Sequence, residues 1–173
     1  MFWKKKNTAD QSKSKKWMQI LPLWVLFIGM VIVAVSNFKD RESLDNKISF
    51  NKQSIVHFIS ADYNLLAQID VELANTDYDR QRGLMNREKL EENQGMLFVF
   101  PYQDTLSFWM KDTKIPLDII YANIEREIVT IHKNSVPFSH EQYRSSKPAQ
   151  YVVEVNAGFC DKNGIRLGDR ISW

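Results

Sequence analysis

Cysteine is almost absent from the 173-residue chain, which contains only Cys160. No disulfide can form within the chain, so a folded domain has to rely on its hydrophobic core for stability. No partner that would activate Cys160 as a nucleophile is recognisable in the sequence, and the residue directly follows the apolar Phe159. We therefore expect Cys160 to be a small buried residue.

Signatures of the common enzyme classes are missing as well. The chain has no GxSxG, P-loop or dinucleotide-binding motif. Its histidines show neither HExxH nor a similar ligand spacing, which leaves zinc hydrolysis without support; they are His57, His132 and His140. Three methionines could offer thioethers to Cu(I) outside the cytoplasm, but they are scattered singly, as core-filling methionines are; they are Met85, Met96 and Met110. We predict no metal and no cofactor.

The chain also lacks a basic surface for nucleic acid. Six of its 23 basic residues and one of its 21 acidic residues lie in 1–38, which leaves 17 and 20 in 39–173, a net charge of −3 there. Binding to a phosphate backbone needs a basic patch or stripe. We therefore expect no nucleic acid partner.

One stretch has no charge at all: residues 17–35 read WMQILPLWVLFIGMVIVAV. At about 1.5 Å per residue, a helix of this length nearly spans a hydrocarbon core of roughly 30 Å. We predict a transmembrane anchor over 17–38 after a basic cytoplasmic tail over 1–16, because lysines before an apolar helix favour the cytoplasmic side. The alternative is a secretory signal cleaved near Ser36, since Ala34-Val35-Ser36 has the small-x-small form. Both alternatives place the rest of the chain outside the cytoplasm.

After a polar linker over 39–53, residues 54–173 have the pattern of a mainly β (β-rich α+β) domain. Short apolar runs recur at intervals of about ten residues between turn-forming residues, which favours a small antiparallel sandwich or barrel. One short helix is predicted after Thr76, which can cap it and is followed by acidic and then basic residues. The main strands are predicted over 54–60, 65–75, 96–100, 105–111, 117–123, 127–133 and 151–157.

Six motifs in this domain resemble the DUF192 family, an uncharacterised domain family. They are GLM (83–85), GMLFVF (95–100), FWMKDT (108–113), IPLD (115–118), VVEVNAG (152–158) and LGD (167–169). They follow the family's order, and the resemblance covers about residues 62–173. It implies a compact, mainly β domain, often with an N-terminal signal or anchor, and it brings no activity with it. The family commonly has Asn where this chain has Asp112, which leaves the role of that amide open.

Asp118 and Glu154 are the acids that interrupt apolar strands. Asp118 should share a strand face with Ile120, and a carboxylate there is either paired or shifted in pKa. The structural interpretation is that it accepts backbone N–H groups from the preceding turn. Side chains alternate between the two faces of a strand, so if the valines next to Glu154 face the core, Glu154 should face solvent. Alternatively, the two carboxylates could share a proton, a metal or Arg82, as in acid–base catalysis.

A candidate binding cleft is predicted between the helix at 77–86, the FWMKDT strand and the IPLD turn. Adjacent Trp109 and Met110 must face opposite ways on a strand, so one should be internal and the other near the surface. An exposed Trp109 beside Lys111 would suit stacking of a sugar or another flat ligand. The candidate cleft residues are Arg82, Met85, Trp109, Met110, Lys111, Asp118 and Glu154.

The functional expectation is a membrane-anchored binding or accessory module of the cell envelope. Its expected partners are the membrane, through 17–38, and an unidentified small molecule or envelope component. One alternative is a small enzyme using Asp118 with Arg82 or Lys111 as electrostatic partner. The other is a purely structural envelope protein.

Overall fold

The computed structural model describes residues 49–173. Within this range no helix is both long enough and apolar enough to pass through a membrane. The predicted tail and anchor, and most of the predicted linker, lie outside the described residues.

Nine strands and two short helices are formed in the described part of the chain. The strands are β1 (Ser54–Ile59), β2 (Leu65–Ala74), β3 (Gln94–Asp104), β4 (Ser107–Phe108), β5 (Leu117–Ala122), β6 (Ile128–Ser135), β7 (Tyr143–Arg144), β8 (Ala149–Asn156) and β9 (Arg170–Ser172). The helices are α1 (Asp77–Arg82) and α2 (Phe159–Asn163). The mainly β class is confirmed. So is the helix after Thr76, whose Oγ1 accepts the Asp79 N–H at 3.1 Å.

Seven of the strands form one mixed sheet in the order β6-β5-β8-β3-β2-β1-β9. The expected antiparallel architecture is only partly right, because β2 and β3 are parallel neighbours. A parallel pair needs a crossover of a dozen or more residues, and the segment 75–93 with α1 supplies it. The crossover places α1 and the residues after it beside the β2–β3 pair.

The sheet does not close into a barrel, although its two ends touch. The Ile171 N–H donates to the Arg126 carbonyl at 2.9 Å, and the Ile128 N–H donates to the Asp169 carbonyl at 2.7 Å. An isolated bridge joins Glu127 and Arg170, and no continuous ladder runs between β6 and β9. The sheet is therefore strongly curved around the core on its inner face.

Both faces of the sheet are buried. The inner core includes Phe58, Ile120, Val153 and Phe159, and a second core on the other face includes Phe98, Tyr121 and Met110. As a result, every residue of β5 is buried. The predicted strand over 105–111 is reduced to β4, which pairs with β7 and helps to cover the second core.

Candidate functional site

Asp118 has a structural role in this fold. Its side chain is fully buried, with Oδ1 accepting N–H groups from Asn134 at 2.9 Å and Gly158 at 3.2 Å, while Oδ2 accepts from Cys160 at 2.9 Å. These donors belong to β6 and to the start of α2, and none comes from the preceding turn. Asp118 therefore connects β5 to β6 and α2. These three N–H groups meet the hydrogen-bonding needs of the buried carboxylate without a ligand.

The two acids singled out from the sequence do not form a pair. Their strands, β5 and β8, are neighbours, but Asp118 is opposite Val155 and Glu154 is opposite Ile119. Residues opposite each other in a sheet share a face, and adjacent residues face opposite ways. Asp118 thus lies on the inner-core face with Ile120, and Glu154 lies on the second-core face with Val152. A shared proton or metal is ruled out by this register.

Glu154 is buried, and the expectation that it faces solvent is wrong. It is 5% exposed, and its carboxyl lines a small pocket. The alternation argument fails because the second face of the sheet is covered as well. Burial raises the pKa of the Glu154 carboxyl from 4.5 to about 8. At neutral pH the group is therefore mainly protonated and can donate a hydrogen bond.

The turn at Gly83 lies against the Glu154 carboxyl. Gly83 ends α1 with φ 49° and ψ −135°, a conformation that is open only to glycine. A Cβ at this position would lie 3.3 Å from the Phe98 ring and 3.9 Å from Glu154 Oε2. Glycine lets the turn lie directly on β3 and β8.

We call the small pocket beside this turn the Glu154 slot; its volume is about 30 Å³. Phe98 and Phe108 are edge to face in its wall, with ring centroids 4.9 Å apart. The complete lining is Arg80, Gln81, Arg82, Gly83, Leu84, Met85, Phe98, Phe108, Trp109, Thr113 and Glu154. The slot is large enough for one small polar group.

Four of the seven predicted cleft residues meet at the slot: Arg82, Met85, Trp109 and Glu154. Trp109 is 42% exposed and Met110 is fully buried, so one is near the surface and the other internal as expected, although both follow β4 and neither lies on a strand. Lys111 lies outside the slot with Nζ 5.3 Å from the centre of the Trp109 ring. Asp118 lies on the other face of the sheet.

A larger pocket, missed in the sequence, adjoins the slot through Arg82 and Gly83. We call it the polar pocket; it has a volume of about 250 Å³ and is lined by Ser49, Asn51, Gln53, Glu72, Leu73, Asp79, Arg82, Gly83, Arg87 and Met96. In its wall Arg87 Nη2 lies 2.6 Å from Glu72 Oε2, and both side chains are largely buried. These partners are fifteen residues apart in the sequence, so no local motif reveals the pair.

The methionines and the other potential ligands form no evident metal centre. Met96 and Met110 lie in the second core and Met85 lines the slot. Over residues 49–173, no group of three His, Cys, Asp or Glu side chains is arranged to hold a metal ion.

Known proteins resemble this domain in sequence and in fold. The model of DUF192, described as an uncharacterized ACR family, matches residues 57–173. This chain belongs to the DUF192 family. A UPF0127 protein of Pyrococcus furiosus is 26% identical over 111 residues, which are 61% of this chain and 88% of that protein.

Two solved structures share the DUF192 fold. A candidate transcription regulator from Sinorhizobium meliloti 1021 matches with a TM-score of 0.67 and 36% identity, over 73% of this chain and 97% of that one. A protein of unknown function from Novosphingobium aromaticivorans DSM 12444 matches with a TM-score of 0.65 and 33% identity, over 69% and 84% of the two chains. Because the match takes in 97% of the Sinorhizobium chain, the shared fold makes up nearly all of that solved structure.

Two of the DUF192-like motif positions have a backbone explanation in this structure. At Gly95, in GMLFVF, a Cβ would lie 2.7 Å from the Glu154 carbonyl oxygen, so β3 and β8 could not keep their spacing. Asp112 has φ 54°, in the left-handed region that asparagine and aspartate adopt more readily than most residues. Its carbonyl accepts the Asn86 N–H at 2.7 Å. Asparagine and aspartate can therefore serve the same backbone role at this position.

Proposed function

We propose that this DUF192 domain is a binding module whose ligand places a neutral hydrogen-bond acceptor in the Glu154 slot. One observation carries the proposal: Glu154 is only 5% exposed, its carboxyl lines a pocket, and burial raises its pKa so that it holds a proton at neutral pH. An acceptor on a ligand would give this protonated carboxyl a hydrogen-bond partner inside the slot.

The protonated state decides which kind of group fits. With a pKa of about 8, Glu154 donates its proton to a carbonyl, hydroxyl or sulfoxide oxygen at neutral pH. The charged groups around the slot are Arg80 and Arg82, with Lys111 beside Trp109. Arg80 is already paired with Asp77, and the Arg82 guanidinium in the lining disfavours an ammonium ligand. The aromatic walls suit the apolar part of a small neutral group.

Catalysis by Asp118 with Arg82 or Lys111 finds no geometric support. The Asp118 oxygens are engaged by three backbone N–H groups on the face away from the slot. A purely structural envelope protein remains the alternative, and it requires that no ligand binds the slot.

We also propose, from the sequence alone, that residues 17–38 anchor the domain outside the cytoplasm. The net charge of −3 over residues 39–173 does not favour DNA binding, the role that the name of the Sinorhizobium protein suggests for that protein.

The test uses residues 40–173 and dimethyl sulfoxide, a small acceptor that cannot donate. Titration followed by amide chemical shifts should perturb Gly83, Phe98 and Phe108 at pH 6.5 and much less at pH 9.5, where Glu154 loses its proton. Glu154→Leu should abolish these shifts, and Glu154→Gln, which keeps a donor, should retain them. Glu125→Gln, at an exposed glutamate, is the control. Equal shifts in the parent and in Glu154→Leu would refute the proposal.

A further inference from the structure

Both acids that line the polar pocket accept hydrogen bonds within the protein, and Glu72 is also paired with an arginine. Glu72 Oε2 accepts from Arg87 at 2.6 Å, and Glu72 Oε1 accepts the Asn51 N–H at 2.7 Å. Asp79 Oδ2 accepts the Thr76 hydroxyl at 2.5 Å. Glu72 is therefore occupied through both oxygens, whereas Asp79 is bonded through Oδ2 alone.

The two arginines that line the polar pocket have N–H groups that donate no hydrogen bond within the described residues. Arg87 Nε is buried and has no hydrogen-bond partner in the part of the chain that the structure describes. Arg82 is exposed, and its side chain forms no ion pair or hydrogen bond with another described residue. An exposed guanidinium with open N–H groups is suited to a planar carboxylate, which it can bind with two parallel hydrogen bonds.

Size limits the ligand. At roughly 30 Å³ per water molecule, the pocket volume of about 250 Å³ corresponds to about eight waters. The polar pocket and the Glu154 slot share Arg82 and Gly83 in their linings, which places the two pockets side by side.

We propose that the polar pocket holds the anionic end of the same ligand, and that the ligand is a small carboxylate bearing a neutral acceptor such as a ketone. The carboxylate binds Arg82, and the acceptor enters the slot and binds Glu154. This inference rests on the proposed function of the slot. It adds a second subsite and a ligand class.

Three small-molecule probes, tested for binding to residues 40–173, separate the contribution of the ketone to affinity from that of the carboxylate. The probe 4-oxopentanoate has both groups, 2-pentanone has only the ketone and pentanoate has only the carboxylate. At pH 6.5 we expect 4-oxopentanoate to bind about tenfold more tightly than either single-function probe. Arg82→Ala should reduce its affinity to that of 2-pentanone, and Arg82→Lys should restore part of the loss. Arg166→Ala, at another exposed arginine, should change nothing.

The outcomes distinguish the two proposals. If 2-pentanone binds in a Glu154-dependent way and the carboxylate adds no affinity, the anionic subsite is refuted and the slot stands. If inorganic phosphate displaces 4-oxopentanoate more effectively than acetate does, the assignment to carboxylates is wrong. If no probe perturbs the slot, the proposed function and this inference both fail.

Discussion

Replacing Glu154 with glutamine should stabilise the domain at neutral and alkaline pH and leave its stability unchanged in mild acid. The unfolded chain loses the Glu154 proton near pH 4.5, whereas the folded protein keeps it to about pH 8. Between these values the native state binds more protons than the unfolded state, so the free energy of unfolding falls as pH rises. Glutamine has no proton to lose, and its amide is similar in size to the protonated acid.

The magnitude follows from the same two pKa values. A pKa raised from 4.5 to about 8 corresponds to about 5 kcal/mol above pH 8 and about 3 kcal/mol at pH 7, both as order-of-magnitude upper limits. Urea unfolding of residues 40–173 at pH 4.5, 6, 7 and 8.5 measures the difference between variant and parent. It should be near zero at pH 4.5 and grow by up to about 1.4 kcal/mol per pH unit.

Glu125→Gln is the matched control, because Glu125 is exposed and the variant should follow the parent at every pH. A Glu154→Gln variant that shows a pH-independent difference, or that is less stable than the parent at pH 8.5, would refute the reasoning. Either result would mean that the folded protein holds Glu154 ionised with a partner.

The remaining predictions concern backbone positions and are read from the same urea assay at pH 7. Asp118→Asn should lower the free energy of unfolding by about 3 kcal/mol, because an amide cannot accept all three N–H groups; a neutral change would show that Asp118 is not structural. Asp112→Asn should stay within about 0.5 kcal/mol of the parent, while Asp112→Val should cost about 1–3 kcal/mol at φ 54°; equal stability of the two variants would contradict the backbone role. Gly95→Ala should cost about 1–3 kcal/mol, because its Cβ would lie 2.7 Å from a carbonyl oxygen; no loss would show that β3 and β8 can separate freely.

The sequence predicts the local structure of this domain well where the signal is local. Alternation places Asp118 on the face of Ile120, and the strand register confirms it. Thr76 predicts the start of α1 because an N-cap is a contact within one turn. Trp109 is exposed and Met110 buried, as expected, but the strand from which this was argued ends at Phe108.

Features that depend on distant segments were not predictable. Glu154 was expected to face solvent because the alternation of apolar and polar residues was taken to mean that one face of the sheet is exposed. In the structure, the crossover after β2 and the β4–β7 pair cover that second face. The parallel β2–β3 pair depends on how the crossover returns to the sheet, which periodicity does not encode. The polar pocket requires Glu72 and Arg87 to meet, and this pairing exists only once the crossover is folded.

The most direct test of the account is the titration of the Glu154 carboxyl itself. Carbon-detected NMR of residues 40–173 labelled at glutamate, with Glu154→Gln to assign the signal, reports its pKa with and without dimethyl sulfoxide. The account predicts a pKa of about 8 in the free domain and a higher value with dimethyl sulfoxide, because the ligand binds the protonated form. A Glu154 carboxyl that titrates near 4.5, or whose pKa does not respond to dimethyl sulfoxide, would contradict it.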